Sequence, residues 1–178
     1  MKIGAITEIA PSVHFIGAFD PRIRTFDIIM KTANGSSYNA YLVRGSEGVA
    51  VMDTVKKEFS EAFFKRLELL CDYDEIRYIV LHHLEPDHSG ALLELMERAP
   101  EAKLIISGRA VMMLKGLINK EIPFEVANTG KTISLGDRTI EFLSTPFLHW
   151  PDTMSSYLHE EKMGRDHLKR LDAENRRH

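Results

Sequence analysis

One cysteine, Cys71, stands among the 178 residues. An internal disulfide is excluded, and such sparse cysteine use fits a reducing, cytoplasmic setting. Long apolar runs are lacking too: none approaches the ~20 residues of a membrane-spanning helix. Residues Met1 to Glu8 contain an early acidic residue and no apolar core, so a secretory signal is not expected. Nor does charge of one sign dominate. Lys and Arg number 23 against 26 Asp and Glu, a formal net charge of -3. General attraction to nucleic acid or to an anionic membrane is therefore not expected. No internal repeat stands out. The chain that remains is 44% hydrophobic and 28% charged, an ordinary composition for one soluble domain.

Apolar patterning predicts a meander of antiparallel strands first. Val13 to Gly17 and Phe26 to Thr32 read as strands. Asn34-Gly35 signals a hairpin, with the return strand over Ser37 to Val43. A turn at Gly45 to Gly48 leads into Val49 to Asp53. Asp53 itself reads as an N-cap or turn residue. Strands and helices then alternate: a helix over Lys57 to Cys71, a strand over Ile76 to Leu81, and a helix from Ser89, which can cap it, to Arg98. A strand over Lys103 to Ser107 and a helix within Gly108 to Asn119 follow. Phe124 to Ala127, Thr132 to Leu135, Thr139 to Leu143 and Ser155 to Leu158 read as further strands. Residues 1–158 are expected to form the folded domain. Residues 159–178 are densely charged with little to bury, and read as a frayed helix or disordered tail.

The chemistry concentrates in Leu81-His82-His83-Leu84-Glu85-Pro86-Asp87-His88-Ser89-Gly90. This segment follows a buried strand and precedes a helix, and ligands of layered α/β folds bind beyond the carboxyl ends of strands. On an extended loop, residues two apart face the same way, so His83, Glu85 and Asp87 are expected to converge. Imidazoles and carboxylates together are the ligand set for zinc, iron or manganese. His83, Glu85, Asp87 and His88 already match one tetrahedral ion, so a further ligand points to two ions in one pocket. Two carboxylates held close together favour a cation that offsets their repulsion. His149, also past a strand end and flanked by Phe147, Leu148 and Trp150, is the candidate distant ligand. Asp152 reads as a carboxylate supporting a ligand, or as a helix cap. His82 should point away from His83 and is left outside the site.

The motif His83-x-Glu85-x-Asp87-His88-x-Gly90 resembles metallo-β-lactamase-type folds. Glu85 narrows the resemblance to the flavodiiron proteins, where Glu stands in place of the His of hydrolytic relatives. Ile6 to Pro11, Tyr38 to Val43, Asp53 to Lys56 and Leu148 to Asp152 match that family as well. The resemblance runs over roughly residues 3 to 162. It implies an α/β fold, the metallo-β-lactamase-like αβ/βα sandwich, here with an incomplete second half. It implies two non-haem irons, with His83, Glu85 and His149 on one and Asp87 and His88 on the other. It implies reduction of O₂ to water or of NO to N₂O, with electrons from a rubredoxin or flavodoxin-type donor.

The chain departs from the family pattern after residue 162. Asp166 lies near the place of the family's iron-bridging Asp, but its neighbours Arg165 and His167 do not match. No segment resembles a flavin-phosphate loop, so FMN is expected only on a partner. A partial second half is also expected to leave an apolar sheet face bare. That predicts a homodimer, or pairing with a separately encoded remainder of the enzyme. The alternative functions are a non-catalytic metal-binding O₂ or NO sensor, a truncated inactive homologue, and a zinc hydrolase. Glu85 argues against the last.

Overall fold

The computed structural model describes residues 6–26, 30–118, 121–165 and 169–170. Its first strands are β1 (Thr7–Ala10), β2 (Val13–Phe15), β3 (Ala18–Asp20), β4 (Thr25–Phe26), β5 (Met30–Lys31), β6 (Ser36–Tyr38), β7 (Tyr41–Gly45) and β8 (Gly48–Met52). Helix α1 (Ser60–Glu68) and strand β9 (Ile76–Val80) follow, then α2 (Pro86–Ser89), α3 (Leu92–Arg98), β10 (Lys103–Ser107), α4 (Ala110–Leu117) and β11 (Phe124–Ala127). The chain continues through β12 (Thr132–Ser134), β13 (Thr139–Ser144), β14 (Met154–Leu158), β15 (Met163–Arg165) and β16 (Lys169–Arg170).

A seven-stranded sheet has the order β1-β2-β7-β8-β9-β10-β11. Its first four strands pair antiparallel, whereas β8, β9, β10 and β11 run parallel. Parallel neighbours need crossovers, and α1, α2–α3 and α4 supply them. The β8 and β9 strands are adjacent, so their exits lie side by side. Strand β8 shows why the middle of this sheet is largely apolar. Val49 and Val51 face the helices with Phe63, Leu67, Leu92 and Leu95. Ala50 and Met52 face the second sheet with Ile133, Leu135, Ile140, Phe142 and Met154. A sheet covered on both faces has no polar side to present.

The second sheet, β12-β13-β14-β15-β16, is antiparallel throughout. It covers the face expected to be bare. Phe142, Met154 and Ile140 are almost wholly buried against the first sheet. The opposite side of β12–β14 carries Thr132, Ser134, Thr139, Glu141, Ser155 and Tyr157, with Leu143 the exposed large apolar side chain among them. The segment expected to fray contributes β15, which pairs with β14 through Leu158↔Met163 and Tyr157↔Gly164. Residues 166–168 and 171–178 lie outside the described residues.

Other local expectations are corrected. A strand at Thr7–Ala10 precedes the one expected first; it is a polar, largely exposed edge, so no apolar alternation marks it. Gly35 does turn at φ 85°, but the segments it joins do not pair with each other. Strand β6 pairs with β3, and β5 pairs with β4. The helix expected from Lys57 begins as a single 3-10 turn, Lys57–Phe59. The helix expected over Ser89 to Arg98 is broken at Gly90. A Cβ there would meet the Lys57 nitrogen at 2.6 Å and the Val55 and Pro86 oxygens at 2.7 Å. Among the described residues, no helix is long and apolar enough to cross a membrane.

Candidate metal centre

Beyond β9, four hydrogen bonds fix the path of the chain. The His82 N–H donates to Asp53 Oδ1 at 2.8 Å, and the Leu84 N–H donates to Asp152 Oδ2 at 2.9 Å. The His88 carbonyl accepts the Thr54 N–H at 2.8 Å and the Thr54 hydroxyl at 2.7 Å. Pro86 occupies the first turn of α2, where its missing N–H is tolerated. Asp87 and His88 therefore sit on a helical turn and not on the extended loop expected. Ser89 closes that turn, its hydroxyl donating to the Leu84 and Glu85 carbonyls at 2.9 and 3.1 Å, so it does not cap a following helix.

This path produces two groups of candidate ligands that share one residue. His83, Glu85 and His149 bring ligand atoms within 4.8 Å of one another, and so do His83, Asp87 and His88. The His83 ring lies 4.3 Å from that of His88 and 5.0 Å from that of His149, centroid to centroid. His149 Nε2 is 3.4 Å from Glu85 Oε2, and His88 Nε2 is 3.5 Å from Asp87 Oδ2. All five sequence-predicted residues thus meet in one place. Asp152 lies behind them, almost fully buried, and orients the backbone just before Glu85.

Burial sets the protonation of this cluster. Desolvation, reinforced by His88, pushes His83 down to about 3, so its imidazole is neutral at pH 7. Desolvation holds Asp87 above the usual carboxylate range, although His88 opposes it. Asp152 is raised for the same reason. Neutral imidazoles are ready ligands, and carboxylates buried at this depth are stabilised by a cation. The fit can be tested on one atom: Asp87 Oδ1 is buried and has no hydrogen-bond partner. An orphaned acceptor beside two imidazoles is what a metal position requires. The donor set combines imidazole and carboxylate without thiolate, which suits iron, manganese or zinc.

The cluster forms the floor of a cavity of about 270 Å³. Phe26, Met30 and Tyr41 line it together with Thr32, Ser36, Ser37 and Asn39. Two residues absent from the expected site also border it, Asp53 and His82. Asp53 was expected to cap or turn; it adopts φ 60°, is fully buried, and accepts from both the backbone and the ring of His82. The readable signal was an acidic residue ending an apolar strand with no helix start directly after it.

A family described as "ODP family beta lactamase" matches residues 37–163 of the sequence. The chain belongs to the ODP beta-lactamase family. The ODP-family domain is 54% identical over 158 residues to the type A flavoprotein fprA of Rhodobacter capsulatus, covering 87% of this chain and 36% of that one. It is 39% identical over 150 residues to the anaerobic nitric oxide reductase flavorubredoxin of Salmonella typhi, covering 83% and 31%. The solved rubredoxin oxygen:oxidoreductase of Desulfovibrio gigas superposes with a TM-score of 0.84 at 36% identity, over 90% of this chain and 40% of that one. The ODP-family domain therefore spans little more than a third of the curated flavoprotein it matches.

Proposed function

We propose that this domain holds two non-haem irons and serves the reduction of O₂ to water or of NO to N₂O, using electrons from an external donor. The observation that carries the reading is the pair of ligand groups sharing His83, with Glu85 in one and the orphaned Asp87 oxygen in the other. His83, Glu85 and His149 would hold one iron, and Asp87 and His88 the other. Two ferrous ions held there would together supply electrons for the reduction of a small diatomic.

The chain's own residues do the rest. Burial keeps His83 neutral and available as a ligand. Asp152 holds the Leu84 N–H and so sets the direction in which Glu85 leaves the backbone. Phe26, Met30 and Tyr41 line an apolar wall over the cluster, which suits a small uncharged molecule and limits water. The relatives' names, a nitric oxide reductase and an oxygen:oxidoreductase, support both substrates.

A rubredoxin- or flavodoxin-type donor, with FMN carried by a partner, belongs to the same proposal. So does assembly as a homodimer or with a separately encoded remainder, in a reducing, cytoplasmic setting. Covering a bare sheet face is not the reason, since β12–β14 already cover it. The support is instead at the rim: Phe147 and Leu148, beside His149, are 68% and 67% exposed. Arg109 lies 5.5 Å over the Phe147 ring. An apolar rim next to a redox centre is a surface a partner would cover. A monodisperse monomer in analytical ultracentrifugation would remove the homodimer from the proposal.

Anaerobic expression with iron, elemental analysis, and O₂ or NO consumption with a supplied reductant test the function. About two irons per chain with turnover is the expected result. About one iron with ligand binding and no turnover would favour a non-catalytic sensor. Zinc with hydrolysis would favour a hydrolase, and absence of any bound metal would overturn the reading.

A further inference from the structure

His82 is 3% exposed and uses both ring nitrogens. Its Nδ1 lies 2.9 Å from Asp53 Oδ2, and its Nε2 lies 2.8 Å from Ser156 Oγ. A carboxylate accepts, so Nδ1 donates to Asp53; in the neutral ring Nε2 then accepts from the serine hydroxyl. Asp53 Oδ1 takes the His82 N–H at 2.8 Å. Asp53 Oδ2 is also 3.3 Å from His88 Nδ1, a close polar contact that falls outside hydrogen-bond geometry in the metal-free protein. The other nitrogen of His88 faces Asp87 in the candidate centre at 3.5 Å. A continuous line of polar contacts thus runs from Ser156 on the second sheet, through His82 and Asp53, to a candidate ligand on α2.

Each member is otherwise hard to account for. Ser156 occupies an inward position of β14 between Met154 and Leu158, where the packing asks for an apolar side chain. Asp53 is a fully buried carboxylate on left-handed backbone, an arrangement that persists only where its surroundings hold it. His82 supplies two of its donors.

We infer that His82 is a positioning residue: through Asp53 it fixes the ring of His88, with Nδ1 toward Asp53 and Nε2 toward the position shared with His83 and Asp87. This rests on the metal-binding reading above. A carboxylate behind a ligating imidazole sets its tautomer and its orientation. His82 keeps that carboxylate from rotating, and Ser156 ties His82 to the opposite sheet.

Three variants test it, with Co(II) as the probe: His82→Leu, His82→Asn and Ser156→Ala. The His82→Asn side chain would place an amide nitrogen near the position of Nδ1 and so retain the donor to Asp53, whereas His82→Leu removes both contacts. In His82→Leu, the Co(II) position built by Asp87 and His88 is expected to weaken about 10- to 100-fold. The position built by His83, Glu85 and His149 should stay within a few-fold. His82→Asn should recover most of the loss, and Ser156→Ala should shift it less than His82→Leu. The imidazole ¹⁵N spectrum of the metal-free protein gives an independent readout. His88 should show one tautomer, protonated at Nδ1, in the wild type and a mixture in His82→Leu. If His82→Leu fails to fold, Ser156→Ala carries the same two readouts with smaller shifts. Equal loss at both positions, no rescue by His82→Asn, or an unchanged His88 tautomer would overturn the inference. If the wild-type protein takes up no Co(II), the metal reading fails, and the His88 tautomer alone decides the role of His82.

Discussion

His149 Nε2 lies 3.4 Å from Glu85 Oε2, although one residue follows the second sheet's β13 and the other follows the first sheet's β9. The candidate centre therefore spans both sheets and exists only when they are packed together. Glu85 is buried there and His149 is partly exposed, so the carboxylate bears most of the desolvation. Glu85→Ala should lower bound iron by about one equivalent while leaving the metal-free protein as stable or more so, because a buried carboxylate is costly without its cation. Elemental analysis beside a melting curve of the metal-free variant checks this. Loss of stability with unchanged iron would contradict it.

A second expectation concerns acid. The His83 pKa falls to about 3 in the fold, from an ordinary value near 6.5. Above pH 6.5 neither state protonates it, so it leaves stability unchanged. Between about 6.5 and 3 the unfolded chain takes a proton that the folded chain refuses, so stability falls as pH drops. The slope from this one group is at most about 1.4 kcal/mol per pH unit. Urea denaturation of the metal-free protein from pH 8 to pH 4 should show the decline, and His83→Gln should flatten it.

Alkaline conditions act on Cys71. Its thiol is pushed up to about 12, chiefly by burial and next by Glu75. The folded state keeps its proton after the unfolded state, with a pKa near 9, has lost it. Stability from this group is fully present below pH 9 and is lost as pH rises towards about 12. Cys71→Ala should reduce the fall in melting temperature between pH 8.5 and 10.5, and the native thiol should resist alkylation at pH 8 until the protein is unfolded.

Gly90→Ala tests the break between α2 and α3. The added methyl carbon would lie 2.6–2.7 Å from backbone atoms of three residues, which cannot swing aside as side chains do. A loss of about 1–3 kcal/mol or more is expected. Chemical denaturation measures it, and because the clash presses on Val55 and Lys57, close to Asp53 and Thr54, metal affinity should fall as well.

Much of this protein can be read along the chain. The crowding of His83, Glu85, Asp87 and His88 after an apolar strand is a local fact, and it locates the centre without any structure. The single cysteine and the balanced charge are equally local. Strand β8 is legible because burial on both faces makes it continuously apolar, β9 and β10 because each carries a buried apolar run, and the α-helices because of their spacing. The distant ligand His149 is legible for a similar reason, since a histidine among Phe147, Leu148 and Trp150 stands out against its neighbours.

Other features depended on packing across the sequence. Pro86 converts the expected extended loop into a helical turn, so Asp87 and His88 reach the centre by helical rotation, and His83 comes to serve both groups. Which strand β6 pairs with is decided by long-range registry with β3 and not by the Asn34-Gly35 turn. The covering of the first sheet by β12–β14 follows from apolar positions on two sheets finding each other, and no local pattern encodes which faces meet. Asp53, His82 and Ser156 are each ordinary residues in sequence. Their line of hydrogen bonds and close contacts arises because adjacent parallel strands end side by side and the second sheet closes over them. Composition and local spacing thus determined the chemistry available to this protein, whereas only the tertiary structure decided which groups hold that chemistry in place.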